Sequence, residues 1–473
     1  VALVLANAMA VRNTLETPVL SALAQLEDLE VCFITPNEED AAKAIDAAPG
    51  RFSWADLGNP AGRALPLGHG PKKIVLRRLA ERVFMRLARS WADHGNLVYR
   101  FNERHKFKGH LFKKGMPPAS RQREAVAGNY VDPSLGHPFP NSQALFNLIY
   151  QAYYNSWYSE PGIEAFFDEF QPDLVVIHHL QNSTIRPWVA SARRRRLPIL
   201  GIVGSWDQPT TKGPLPPGLD RVLVQSRAMR DQLIKYHVVG HGLIEVTGWP
   251  QMDLYLHPET ILPKEALAKE LGISPERRII LYGTYSERLG AHEPGIAAHL
   301  ARQLESGSYG DNVSLVLRPH PKDYGWRQRF GQLHDPPRVV SLPNESGRLG
   351  FLANLLAYAS VVLASTGTVL LDAVALDSCA VNIAFDGDSR VDYQNSIKRW
   401  NELDHFAPVV ASGGLNMVSD FTQLDQAIID YLADPAKDAE GRARCRAEQL
   451  EPFDGKASHR VADFIAKVAL GTI

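Results

Sequence analysis

Short apolar runs that each end at a polar, glycine-bearing loop recur along this chain of 473 residues and leave it few folds to adopt. The clearest cases lie in the second half. They are Gly248-Trp249-Pro250-Gln251-Met252-Asp253, Tyr282-Gly283-Thr284-Tyr285-Ser286, Arg318-Pro319-His320-Pro321, and Ser365-Thr366-Gly367-Thr368 followed by Asp372. A run of this kind followed by a loop and a helix is the unit of a parallel α/β domain. Ligands of such domains bind beyond the carboxyl ends of the strands, where these loops fall. The expected fold class is therefore α/β, and the expected ligand is a phosphorylated or nucleotide-linked small molecule.

A chain of this length exceeds what one core ordinarily serves, and with 45% apolar residues it can fill two domains. Lys and Arg number 51 against 52 Asp and Glu, so there is no global pull toward nucleic acid, which is not an expected partner. Positive charge is nevertheless concentrated over residues 72–123, including Arg77, Arg78, Arg82, Arg86, Arg89, Arg100, Arg104, Lys106, Lys108, Lys113 and Lys114. Such a run reads either as solvated helix faces or as a docking surface for an anionic glycan, a phospholipid surface or a phosphate-bearing acceptor. Cys32, Cys379 and Cys445 are few and widely spaced, which suits a reducing compartment and offers no metal-ligand spacing. The apolar opening residues lack a basic leader and are interrupted by Arg12 and Glu16, so they are expected to form a buried strand. A soluble, cytoplasmic protein follows, with peripheral contact at the inner face of the membrane as an option.

Strands are expected at residues 1–6, 30–35, 173–178, 198–203, 221–225 and 244–247, with 12–17 as loop and helices over 18–26, 185–194 and 228–236. Residues 70–170 carry helical spacing rich in arginine and then in aromatics, and are expected as a helical insertion whose middle, 102–140, is a loop or lid. The prolines of 249–263 mark a linker. Beyond it, strands are expected at 278–282, 314–317, 338–340, 361–364 and 380–383, with helices between them and over 423–432, 444–450 and 456–470. The predicted organisation is an N-terminal domain over 1–248 on the acceptor side and a nucleotide-donor domain over 264–473, the last helix crossing back onto the first.

The loops from Gly204 to Gly213 and Val246 to Asp253, with Arg318-Pro319-His320-Pro321 and Ser365 to Asp372, resemble GT-B glycosyltransferase-like proteins. The related groups are the CDP-glycerol glycerophosphotransferases and the UDP-N-acetylglucosamine 2-epimerases. The resemblance spans residues 199–386. It implies two Rossmann-like domains facing a cleft, with the donor nucleotide against the C-terminal one and the acceptor on the N-terminal one. The stretch Ala364-Ser365-Thr366-Gly367-Thr368 departs from the Asp-Tyr-Ser-Ser-like sequence of the glycerophosphotransferases, which leaves the donor open.

A donor diphosphate needs N–H or hydroxyl donors and nearby positive charge. Ser365, Thr366, Gly367 and Thr368 offer this after an apolar strand, although they also read as a plain helix cap. Asp372 falls about one turn into that helix, placed either for ribose hydroxyls or for solvent. Arg318 and His320 are candidates for neutralising a leaving phosphate, His320 as catalytic proton or hydrogen-bond donor, or else for holding the loop. Gly283, Thr284 and Ser286 form a second phosphate-suited loop. For the acceptor base His179 is preferred over Glu16 and Asp207, because a neutral imidazole suits proton removal near neutral pH. Arg12 and Lys212 are candidates for holding an acidic acceptor.

With Asp207 isolated in the sequence rather than part of an Asp-x-Asp pair that could hold a metal under a diphosphate, neither a metal nor a cofactor is expected. The expected function is a metal-independent glycosyltransferase moving a sugar from a nucleotide-activated donor to an envelope glycan or lipid-linked saccharide. Transfer of CDP-glycerol or polyol phosphate, UDP-sugar 2-epimerisation and non-catalytic nucleotide or glycan binding are the alternatives.

Overall fold

The computed structural model describes residues 1–36, 38–58, 160–211, 215–237, 239–344, 348–391 and 396–473. Most of the expected insertion over 70–170 lies outside them, as does Lys212. Of the insertion only the end is described, where Pro161–Phe170 is helical. Phe166 and Phe167 are buried there against Trp188, with ring centroids 5.4 and 5.8 Å away, so the described end of the aromatic stripe is core.

The chain divides into two compact units, Val1–Pro250 with Lys456–Ile473, and Gln251–Gly455. The first holds β1 (Ala2–Leu5), β2 (Val31–Thr35), β3 (Phe52–Asp56), β4 (Val175–His178), β5 (Ile199–Ile202), β6 (Arg221–Val224) and β7 (Ile244–Val246). They form one parallel sheet in the order β3-β2-β1-β4-β5-β6-β7. β1 is central, with Leu3 paired to Phe33 on one side and Val176 on the other, and all four of its residues are buried. Burial on both faces is why β1, β2 and β4 read as uninterrupted apolar runs.

The second unit holds β8 (Arg278–Gly283), β9 (Val313–Arg318), β10 (Val339–Ser341), β11 (Ala359–Ala364), β12 (Cys379–Ile383) and β13 (Asn416–Val418). This sheet is also parallel, in the order β10-β9-β8-β11-β12-β13. Each sheet reverses strand order once, at β1/β4 in the first unit and at β8/β11 in the second. Such switch points open crevices at the carboxyl edge.

Three expectations need correction. Residues 12–17 are not simply loop: Ala8–Leu15 is a helix that starts directly after β1, because the Asn7 side chain accepts the Ala10 N–H at 3.0 Å and ends the strand. The proline-marked stretch 249–263 contains the helix Pro250–Leu256, with Met252, Asp253 and Tyr255 buried. β3 and β13 were not anticipated; both are edge strands. Cys32, Cys379 and Cys445 are buried free thiols.

The helix Ala457–Ala469 belongs to the first unit. Val461, Ala462, Ile465 and Val468 pack in one core cluster with Val19, Ala22 and Leu23 of the helix Val19–Ala24. Arg460 Nε donates to the Thr247 carbonyl at 2.6 Å. No helix among the described residues is long and apolar enough to cross a membrane.

Candidate functional site

At the switch point of the second sheet, β8 ends at Gly283 and β11 at Ala364, and these two residues are register partners. The loops that leave them carry Thr284, Tyr285 and Ser286 on one side and Ser365, Thr366 and Gly367 on the other. The neighbouring β9 ends at Arg318 and continues to His320. The Thr284 N–H donates to the Arg318 carbonyl at 3.0 Å, so the loops after β8 and β9 leave the sheet together.

Gly367 caps the helix Thr368–Ala375 with φ 102° and ψ 177°, a conformation closed to side chains with a Cβ. A Cβ there would also collide with the Tyr285 phenol oxygen. The Tyr285 phenol therefore lies against the turn that leads into the first N–H groups of the helix, where the partial positive end of the helix dipole favours an anion. Thr368 is exposed at that end, Thr366 is 7% exposed, and Asp372 is buried one turn inside. Asp372 thus faces inward rather than toward solvent.

Ser365 plays a different part from its neighbours. Its hydroxyl is fully buried and donates to Glu293 Oε1 at 3.2 Å, while its carbonyl accepts Asn382 Nδ2 at 2.8 Å. It serves the scaffold of the loop rather than its outer face. The Thr284 hydroxyl is buried and has no hydrogen-bond partner among the described residues, whereas Ser286 caps the short helix Glu287–Gly290 without a side-chain cap bond.

His320 stacks on Tyr285, with ring centroids 5.9 Å apart and planes 15° from parallel. Its Nδ1 accepts the Lys322 N–H at 3.0 Å, and its carbonyl accepts the Asp323 N–H at 2.8 Å. In the neutral ring this bond leaves the proton on Nε2, which makes that nitrogen a donor. Arg318, the last residue of β9, is 8% exposed. Tyr285 was not among the residues singled out from sequence, yet it touches both His320 and the Gly367 turn. Its position between Thr284 and Ser286 was the available signal.

A further opening of about 670 Å³ lies beyond the ends of β12 and β13, lined in part by Phe385, Asp386, Arg390, Lys398, Asp420 and Phe421. Asp386 is engaged there by the Ser396 hydroxyl at 2.5 Å and the Ile397 N–H at 2.8 Å.

In the first unit the switch point brings the end of β1 beside His178 and His179. Asn182 Nδ2 donates to the Ala6 carbonyl at 3.0 Å and closes this edge. His178 is fully buried, and burial, with the adjacent His179 charge, pushes its pKa down to about 3. It is therefore a neutral ring. His179 has φ 70°, and Gln208 Nε2 lies 2.8 Å from its Nδ1. Gln208 Oε1 already accepts the Gly204 N–H at 2.9 Å, so the amide group donates to the imidazole and occupies its acceptor nitrogen. Neither Asn7 nor Gln208 was anticipated.

The other base candidates are placed differently. Asp207 accepts from the Ser205 hydroxyl at 2.5 Å and the Thr211 hydroxyl at 2.8 Å, so both carboxylate oxygens fasten the short helix Gln208–Thr211. Glu16 is exposed at the C-cap of Ala8–Leu15, a whole helix away from the end of β1 rather than at a helix start. Arg12 lies on that helix and donates to Asn13 Oδ1 at 3.3 Å. The structure brings His179 to the carboxyl edge of the first sheet and does not bring Glu16 beside it. Among the described residues, no group of three or more His, Cys, Asp or Glu is arranged to hold a metal ion.

No protein-family model matches the chain, and no curated protein matches it. Solved structures do. A protein assigned as a UDP-N-acetylglucosamine 2-epimerase from Listeria monocytogenes superposes with a TM-score of 0.54 at 13% identity, over 99% of this chain and 95% of that one. Another UDP-N-acetylglucosamine 2-epimerase structure gives 0.52 at 13% identity, over 100% and 96%. At this identity the likeness is one of fold, and it extends through both sheets: the chain has a two-domain α/β architecture of GT-B type.

Proposed function

We propose that the protein is an enzyme of nucleotide-activated sugars, transferring a glycosyl group from the donor to a hydroxyl of an envelope glycan or lipid-linked saccharide. The observation that supports this reading is the glycine turn at Gly367, which starts the helix Thr368–Ala375 between two loops at the switch point, with Thr368 exposed at its first position. A diphosphate there receives helix N–H groups and the Thr366 and Thr368 hydroxyls. Thr284, whose buried hydroxyl gains from a partner, supplies another donor. His320 donates through Nε2 to the oxygen that accumulates charge as the sugar–phosphate bond breaks, with Arg318 adding fixed positive charge. Gly283 ends β8 where this loop begins, Ser286 starts the short helix at its far end, and Asp372 holds the ribose side.

On the acceptor side His179 removes the hydroxyl proton, once the acceptor has displaced the Gln208 amide from its acceptor nitrogen. Arg12 and Lys212 hold an acidic acceptor. Without a metal, cationic side chains and the helix end bear the developing charge. The protein works in the cytoplasm at the inner face of the membrane, where its acceptors are lipid-linked.

The test is a donor panel of UDP-, CMP-, GDP- and CDP-linked compounds with product analysis. Glycosyl transfer leaves all of the donor's phosphate on the nucleotide. Phosphorus retained in the product selects polyol-phosphate transfer, a C2 epimer formed without acceptor selects an epimerase, and binding without turnover selects a non-catalytic role.

A further inference from the structure

Glu293 is the first residue of the helix Glu293–Glu305, a position where acidic side chains ordinarily face water and the helix dipole. Here it is completely buried. Its Oε2 accepts the Tyr285 N–H at 2.7 Å and its Oε1 accepts the Ser365 hydroxyl at 3.2 Å. One carboxyl thus joins the loop after β8 to the loop after β11, across the switch point. The surroundings are shaped to admit it, since a Cβ at Gly290 would strike the carboxyl.

Arg329 completes the arrangement. It pairs with Asp323, donates to the Tyr285 carbonyl at 2.7 Å and to the Gly290 carbonyl, and stands 3.5 Å from Glu293 Oε2. Asp323, Arg329 and Tyr282 are the titratable groups that face Glu293. Two carboxyl groups share one guanidinium, so burying Glu293 costs more than a helix cap needs. What the cost secures is the placement of Tyr285, whose ring meets His320 and whose phenol adjoins Gly367.

We infer that Glu293 is a positioning residue that sets the spacing of the two phosphate-facing loops. The inference rests on the donor reading above, with Glu293 acting through Tyr285 and Ser365 and touching no substrate itself. Gln at this position keeps one acceptor for the Tyr285 N–H and offers the Ser365 oxygen a donor. Asp keeps the carboxyl group but is too short to reach both loops, and Ala reaches neither.

The experiment compares Glu293→Ala, Glu293→Asp and Glu293→Gln in the full chain by amide exchange at Tyr285 and by titration with UDP and CDP. Loss of a hydrogen bond to a buried carboxyl predicts about tenfold faster exchange and about tenfold weaker nucleotide binding in Ala and Asp, with Gln within about threefold of the parent. Parent-like exchange and affinity in Ala overturn the inference, and so does a lowered melting temperature with both readouts unchanged. Should Ala fail to fold, the Asp and Gln pair decides by the same criteria. If the parent binds neither nucleotide the donor reading fails, and Tyr285 exchange in Asp still shows whether Glu293 joins the loops.

Discussion

The Tyr285 phenol oxygen occupies the space that a Cβ at position 367 would need. The two residues belong to loops on opposite sides of the switch point, so the glycine and the tyrosine constrain each other. Gly367→Ala meets both this collision and a φ of 102°, and strain of this kind costs about 1–3 kcal/mol. Nucleotide binding should weaken by about 5-fold to 150-fold if that strain falls on the bound state. Tyr285→Phe in the same chain should recover part of the loss by removing the colliding oxygen. Gly283→Ala, whose Cβ would meet Val369 at an ordinary 3.4 Å, should bind nearly as the parent does. Calorimetric titration of the four proteins checks this, and equal affinities would dismiss the close approach.

His320→Ala should lower turnover by about 10²-fold or more while leaving the fold intact, the size expected for a lost acid or charge donor. Unchanged turnover rejects the role. Loss of folded protein indicates instead that the ring's bond to the Lys322 N–H and its packing on Tyr285 hold the loop.

The two units should respond to pH in opposite directions. Glu293 has a folded pKa raised to about 8 from 4.5, chiefly by burial. The folded state therefore binds more protons between these values, and the second unit loses stability as pH rises from 4.5 through 8. His178 has a folded pKa lowered to about 3 from 6.5, again chiefly by burial. The unfolded state binds more protons in that window, and the first unit loses stability as pH falls from 6.5 toward 3. Each effect is on the order of a few kcal/mol at its limit. Urea unfolding across pH, resolved by unit, is the measurement. Glu293→Gln should flatten only the fall in stability between pH 4.5 and 8, and a parent-like slope in that variant would refute the assignment.

His179→Ala should lower turnover by about 10²-fold with little change in donor binding, as removal of a base does. Asp207→Asn should instead cost about 1 kcal/mol of stability through the weakened helix start, with turnover near the parent's. Glu16→Gln should alter neither. Steady-state kinetics beside thermal unfolding separates the three, and the reverse pattern would transfer the base assignment to Asp207.

Neutralising Arg104, Lys106, Lys108, Lys113 and Lys114, which lie outside the described residues, should raise the acceptor KM most at low salt. Surface attraction is screened over about 8 Å at physiological ionic strength. Donor KM should hold. Identical acceptor kinetics across a salt series would leave this run as solvated surface.

The central strands were legible because burial on both faces leaves an unbroken apolar signature, as in Val175 to Ile177 and Val361 to Ala364. β3 escaped because, at the sheet edge, its central residues Ser53 and Trp54 are less than fully buried, and β13 is only three residues long. The helix Ala8–Leu15 was hidden by its own apolar character, which merges with β1 unless Asn7 is recognised as a cap. The glycine turn and the His320 loop could be found because they follow strands directly. Tyr285, Gln208 and Glu293 could not, since their roles depend on which loops meet in space, and Glu293 looks from sequence like an ordinary acid at a helix start.

The helix Ala457–Ala469 completes a hydrophobic cluster begun by residues 1–34. On a translating ribosome its residues emerge only after the whole of Gln251–Gly455 has been made. The second unit therefore has every residue it needs before the first does, and the usual order of domain maturation from the N-terminus is reversed for the final packing step. Until then Val19, Ala22 and Leu23 lack the apolar cover that this helix supplies. A nascent chain halted near residue 455 would present that patch to chaperones or to other chains, although its second unit was already complete.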